Sequence, residues 1–174
     1  EGHSDATVSR GTVFRDGAKG RYVTTVPSPS AGPTWYIHRA DLLGLLIAAA
    51  ERSGVQVVFD RLMTPDMVKA DLVIAADGVK SAWRSLVDGP DTPQFTGQGA
   101  WRAIVPWEGR GGGSEAVLSM GHRAHLVAYP LRQGTVMNLV AIEERSDWMQ
   151  ESWSERADPE EMRAHFCDFG GVMR

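Results

Sequence analysis

The chain has 174 residues, 43% of them apolar, a formal net charge of −4 and one cysteine. That is enough apolar material for a real core in one domain or in parts of two. The acidic balance, with no basic run, argues against nucleic-acid binding, because neutralising phosphate takes clustered Lys and Arg. Cys167 cannot form an internal disulfide, no stretch reads as a signal peptide or a membrane span, and a reducing cytoplasm fits. No metal site is expected.

Residues 1 to 34 are polar and broken by Gly and Pro, with short strands predicted at Thr12 to Phe14 and Tyr22 to Val26. A helix follows over 39–53, and its stretch Asp41 to Glu51, DLLGLLIAAAE, is apolar on nearly all sides, which predicts burial against a sheet. Ser53-Gly54 ends it, and Val55 to Phe59 reads as the next strand. The unbroken apolar run Leu72 to Ala76 suits a strand covered on both faces, giving a β-α-β arrangement. Asp77 and Gly78 then fall where the backbone turns off the sheet. Ser81 to Leu86 can start a helix whose free N–H groups favour an anion, so a carboxylate, a side-chain-free backbone and a helix start meet at the carboxyl edge, where cofactors of open α/β folds bind.

From Ala100 the character changes to alternating strands, at Trp101 to Pro106, Ala116 to Met120, Leu126 to Leu131 and Val136 to Ile142. Gly111-Gly112-Gly113 lies between two strands and reads as a flexible hairpin loop, since a phosphate cradle needs a strand before it and a helix after it. An acidic helix is expected near Asp158-Pro159-Glu160-Glu161. In GHRAHLVAYPL, Gly121 to Leu131, alternation puts His125, Val127 and Tyr129 on one strand face and His122, Ala124, Leu126 and Ala128 on the other. The Cα atoms of His125 and Tyr129 should then be about 13 Å apart, too far to bond each other and suited to flanking a ring-sized ligand.

Ala75-Ala76-Asp77-Gly78 with Ser81 and Arg84 resembles the second flavin motif, G-A-D-G-x-x-S-x-x-R, of FAD-dependent aromatic-ring hydroxylases of the salicylate hydroxylase and 3-hydroxybenzoate 6-hydroxylase kind, with alanine for the leading glycine. Trp35 to Leu43, WYIHRADLL, is similar to that family's H-R-x-D/E-L-L segment. Phe95-Thr96-Gly97 with Trp101 to Pro106 is similar to its Y-T-G and W/Y-R-G-x-x-P strand, with Ala103 for glycine. Gly121 to Leu131 and Gly134 to Ala141 resemble its substrate-domain hairpin. The matches keep the family's order through nearly the whole chain. The family's opening G-x-G-x-x-G turn and its later G-D motif are absent, and the stretch between Phe59 and Asp71 is short for the family, so an internal portion of a larger flavoprotein is expected.

The resemblance implies an α/β fold: a partial FAD-binding α/β region over 1–94, then a mixed, largely antiparallel β-sheet substrate domain with helices over 95–174. It implies cofactor contacts at Arg39, Asp77 and Gly78, with Ser81 and Arg84 beside them, and catalytic roles for His125 and Tyr129. The implied reaction joins NAD(P)H, O2 and a small phenolic acid of the salicylate type. NAD(P)H reduces FAD, reduced flavin and O2 form a C4a-hydroperoxide, and its terminal oxygen is transferred to the ring. The protein would hold the phenol, take its proton and exclude water, and an imidazole can accept a proton near neutrality. Arg102 or Arg132 could receive a substrate carboxylate. Two other readings stay open: a non-hydroxylating flavin-dependent oxidoreductase of the same superfamily, which would keep Asp77-Gly78 without a base near the ring, and an isolated apolar-ligand-binding domain that never holds flavin.

Overall fold

The computed structural model describes residues 6–90, 92, 94–108, 113–147 and 156–170. They divide into two compact units: residues up to Ala48 together with those from Gly97 onward, and Ala49–Thr96. The first unit is organised by a six-stranded sheet of β2 (Gly11–Asp16), β3 (Tyr22–Pro27), β5 (Gln98–Pro106), β6 (Ala116–Gly121), β7 (Ala124–Leu131) and β8 (Val136–Glu144). Their spatial order is β3-β2-β6-β7-β8-β5. Neighbours run antiparallel except β2 and β6, which are parallel. A separate antiparallel pair joins β1 (Thr7–Ser9) to β4 (Thr34–Tyr36).

Every strand expected from alternation after Ala100 forms, extended by a residue or more at an end, as do the short strands near Thr12 and Tyr22. Exposure along β5 alternates residue by residue, the pattern of a strand with one covered face. Two expectations need correction. The pairing of β2 with β6 carries residues before Ala48 into the substrate sheet, so the chain does not divide simply at 94/95. Also, β5 and β6 are not neighbours in the sheet, so they do not form a hairpin; Gly111 and Gly112 lie outside the described residues.

The core lies on one sheet face. Leu126 and Ala141 are fully buried there against Phe166 and Phe169, with Trp101, Ala124, Ala128 and Met162 packed around them. Helix α3 (Pro159–His165) brings Phe166 and Phe169 over this face, and Asp158 caps it by accepting the Glu160 N–H at 2.9 Å. Phe169 approaches the sheet where Gly17 and Gly121 carry no side chain, since a Cβ at either would come within 2.8 Å or less of its ring.

Helix α1 (Arg39–Arg52) forms where the sequence predicts it but buries none of its residues, with Leu43 54% and Leu46 58% exposed. In the second unit, Val55 to Phe59 and Leu72 to Ala76 form no strand, and Leu72 and Ile74 are 79% and 82% exposed. The expected β-α-β arrangement is therefore not made. An apolar run becomes a strand only when a neighbouring strand accepts its backbone hydrogen bonds, and none forms among the described residues of Ala49–Thr96.

Candidate functional site

In the second unit, Asp77, Gly78, Ser81 and Arg84 are knitted into one local structure. The Ala82 N–H donates to Asp77 Oδ2 at 3.0 Å, and the Ser81 N–H donates to the Gly78 carbonyl at 3.1 Å. Ser81 Oγ accepts from the N–H groups of Trp83 and Arg84 at 3.2 and 3.1 Å, just before the single turn α2 (Arg84–Val87). The Arg84 guanidinium closes back on the Gly78 carbonyl at 3.3 Å, and Trp83 Nε1 donates to the Met63 carbonyl at 3.1 Å. Gly78 stands at φ 84°, which favours glycine, and open space lies where a Cβ would point. A hydrogen bond from Ser81, aided by backbone N–H groups, holds the Asp77 carboxyl below its ordinary value against the opposing effect of burial. The expected helix over 81–86 is thus reduced to one turn, and with no strand at Leu72 to Ala76 the expected sheet edge beside Asp77 is not made, while local hydrogen bonds join Asp77, Gly78, Ser81 and Arg84.

In the first unit, β7 alternates as predicted: Leu126 is buried in the core, while His125, Val127 and Tyr129 belong to the opposite face. His125 pairs with Met120 on β6 and with Ile142 on β8. It lines an open pocket of about 430 Å³ whose apolar walls include Phe14, Leu118, Met120 and Ile142. Arg123 and Glu144, at 2.7 Å from each other, line the same pocket, and the Glu144 N–H donates to the Arg123 carbonyl. The volume lies in the range of small-molecule pockets.

Tyr129 does not line that pocket. Its ring packs on Tyr36 at a centroid distance of 4.8 Å, and the Tyr36 hydroxyl lies 2.8 Å from Ser9 Oγ. Of the two arginines considered for a substrate carboxylate, Arg132 is engaged by Asp41 through two hydrogen bonds of 2.9 Å, whereas Arg102 is exposed on β5, in the row of Val127 and Val140 on the His125 face. The same bond, together with its charge, keeps the Asp41 carboxyl below its ordinary value. Arg39 opens α1, two residues from Asp41.

Sequence reasoning passed over Arg123, Glu144, Tyr36 and the buried carboxylate of Glu143. Glu143 accepts from Trp101 Nε1 at 3.1 Å and pairs with Arg145 at 3.2 Å and His165 at 2.6 Å, on the core face. The only local signal was the run Glu143-Glu144-Arg145 at a strand end. Among the described residues, no group of three or more His, Cys, Asp or Glu is arranged to hold a metal, and no helix is long and apolar enough to cross a membrane.

No family model matches the chain. It is 31% identical to the FAD-dependent monooxygenase atnJ of Arthrinium sp over 84% of this chain and 41% of that protein. It is also 31% identical to 3-hydroxybenzoate 6-hydroxylase 1 of Aquipseudomonas alcaligenes, over 74% of this chain and 39% of the relative. A salicylate hydroxylase solved with its substrate shares the fold, with a TM-score of 0.66 and 21% identity over 95% of this chain and 50% of that one. The chain spans less than half the length of the curated relatives it matches. With its expected motifs in order and its sheet superposable on that of a hydroxylase, the chain belongs to the FAD-dependent aromatic-ring monooxygenases, alongside salicylate hydroxylase and 3-hydroxybenzoate 6-hydroxylase.

Proposed function

We propose that this chain contributes to an FAD-dependent hydroxylase that uses NAD(P)H and O2 to oxidise a small phenolic acid of the salicylate type. The observation that carries this reading is His125 on the wall of an open pocket in the substrate sheet, beside the apolar side chains of Phe14, Leu118, Met120 and Ile142 and the Arg123–Glu144 pair. The apolar side chains of the pocket favour an aromatic ring, and the imidazole on its wall would accept the phenol proton, which would make the ring more nucleophilic. Keeping water from the bound ring would favour attack on the ring over loss of the oxidant.

The residues of the second unit fit a flavin's sugar-like chain and phosphates. Asp77, exposed and held ionised, would accept from hydroxyls, and the open left-handed turn at Gly78 would let the cofactor approach the backbone. Ser81 and Arg84 would hold that turn in shape through the bonds described above, and Arg39 would add a positive charge near the cofactor. When bound, reduced flavin supplies the activation of O2 and the oxygen transfer. Tyr129, packed on Tyr36, would shape the substrate face. The single exposed Cys167 favours a reducing compartment such as the cytoplasm.

The reading is tested by purifying the enzyme that contains this chain, loading it with FAD, and following NAD(P)H oxidation and product with salicylate and 3-hydroxybenzoate. Hydroxylated product is expected. NAD(P)H oxidation that no phenolic acid stimulates, with no product, would instead support a non-hydroxylating oxidoreductase.

A further inference from the structure

We propose that Asp41 and Arg132 are a positioning pair that fixes the Tyr129 end of β7 against the segment from Tyr36 to Asp41, an inference that rests on the hydroxylase reading for its effect on catalysis. Arg132 Nε donates to Asp41 Oδ2 and Nη2 to Oδ1, both at 2.9 Å. Such a two-point fork defines orientation as well as distance, which a single point charge cannot do. The two residues are 91 positions apart in the chain, so the contact ties the first turn of α1 to the connection between β7 and β8.

That connection is held in an uncommon backbone. Arg132 and Gln133 stand at φ 48° and 57°, followed by Gly134 at 84°. Left-handed backbone is natural for glycine and unfavourable for Arg and Gln, so the surroundings must hold these two residues there. Contacts at each of them do so. Arg132 is held by Asp41, the Gln133 N–H donates to Thr7 Oγ1 at 3.2 Å, and Thr135 Oγ1 donates to the Arg132 carbonyl at 2.9 Å.

Three residues before Arg132, the Tyr129 ring meets Tyr36, itself bonded to Ser9 Oγ. The same two stretches of chain are therefore joined twice, once by a ring contact and once by the fork. A tilted ring pair can slide over a range of offsets, whereas the fork cannot, so the fork sets where Tyr129 stops. The Asp41 side chain is 18% exposed and that of Arg132 49%. A pair so open to water adds little to global stability. Its contribution is geometric, and a displacement of about 1 Å near reacting groups is enough to impair catalysis.

The test uses the FAD-loaded enzyme grown with 3-fluorotyrosine, its resonances assigned with Tyr36→Phe and Tyr129→Phe. Arg132→Lys keeps the charge and loses the fork, Asp41→Asn keeps the shape and loses the charge, and the double variant Asp41→Arg/Arg132→Asp rebuilds the pair in reverse. Arg132→Lys and Asp41→Asn are each expected to shift the Tyr36 and Tyr129 resonances and to raise the KM for the phenolic acid about tenfold, with flavin content and unfolding temperature near wild type. The double variant should recover most of both. Wild-type resonances and KM in both single variants would overturn the proposal, as would a double variant no better than either single one. If the wild-type enzyme hydroxylates no phenolic acid, the hydroxylase reading fails separately, and the fluorine resonances still decide whether the fork positions Tyr129.

Discussion

His165 Nδ1 lies 2.6 Å from Glu143 Oε2, fastening the end of α3 to the sheet face opposite His125. The other carboxylate oxygen of Glu143 accepts from Trp101 Nε1 and faces Arg145 Nη1, and the Glu143 side chain is only 7% exposed. Glu143→Ala would leave the Trp101 N–H without its acceptor and Arg145 and His165 without their carboxylate partner. It is expected to lower unfolding free energy by about 2 kcal/mol, with Glu143→Gln costing less because an amide oxygen can still accept. Urea unfolding of both variants checks this, and an unchanged midpoint for Glu143→Ala would show that α3 is held by apolar contacts alone.

The apolar part of that attachment is centred on Leu126, which is fully buried with Ala141, Phe166 and Phe169. Leu126→Ala should destabilise by about 2–5 kcal/mol, the lost transfer energy plus the cavity left behind. The substitution points away from the pocket, so substrate affinity should change little at temperatures where the variant is folded. A large change in affinity with an unchanged unfolding midpoint would reverse this assignment of faces.

Acid should weaken the first unit through Asp41. Its carboxyl lies below its ordinary value of 3.8 in the folded protein, first because of the hydrogen bond from Arg132. A carboxyl depressed on folding contributes stability that is fully present above its unfolded value and lost as pH falls through the folded one. For a pair this open to water the effect is small: stability measured downward from pH 5 should lose Asp41's contribution below about 3.8, the ordinary value, and Asp41→Asn should remove that part of the loss. Parallel curves for wild type and variant would mean that Asp41 is equally paired in the unfolded chain.

The alternating strands from Gln98 to Glu144 were legible because one sheet face packs on α3 and the other does not, which writes a period of two into the sequence. The Asp77-Gly78 turn was legible for a similar local reason, since its bonds run only a few residues along the chain. Leu72 to Ala76 misled because apolar composition records suitability for a buried strand, while the strand itself needs a hydrogen-bonding neighbour. Glu143 and Asp41 were illegible as anchors, because their partners Trp101 and Arg132 are 42 and 91 residues away and no local pattern names them. The packing of Tyr129 on Tyr36 was hidden in the same way, although both residues stood in stretches that resembled the family.

At the proposed cofactor turn, Asp77→Ala in the enzyme containing this chain should sharply reduce FAD retention, because the acceptor proposed for the cofactor's hydroxyls would be lost and the Ser81 and Ala82 donors released with it. Arg39→Ala should retain the flavin better and slow its reduction or the oxygen transfer. Flavin absorbance per protein after gel filtration is the measurement, and full occupancy in Asp77→Ala would remove this residue from the cofactor site.

The base assigned to His125 is tested most directly by the ratio of hydroxylated product formed to NAD(P)H consumed, measured for wild type and His125→Ala across neutral pH. His125→Ala should still bind FAD and the phenolic acid and still be reduced by NAD(P)H, since none of these steps needs a base on β7. Product formation should fall about a hundredfold, with hydrogen peroxide released in its place. A His125→Ala enzyme that keeps the wild-type ratio would contradict the account, because the phenol proton would then be taken by a group other than the one in this pocket.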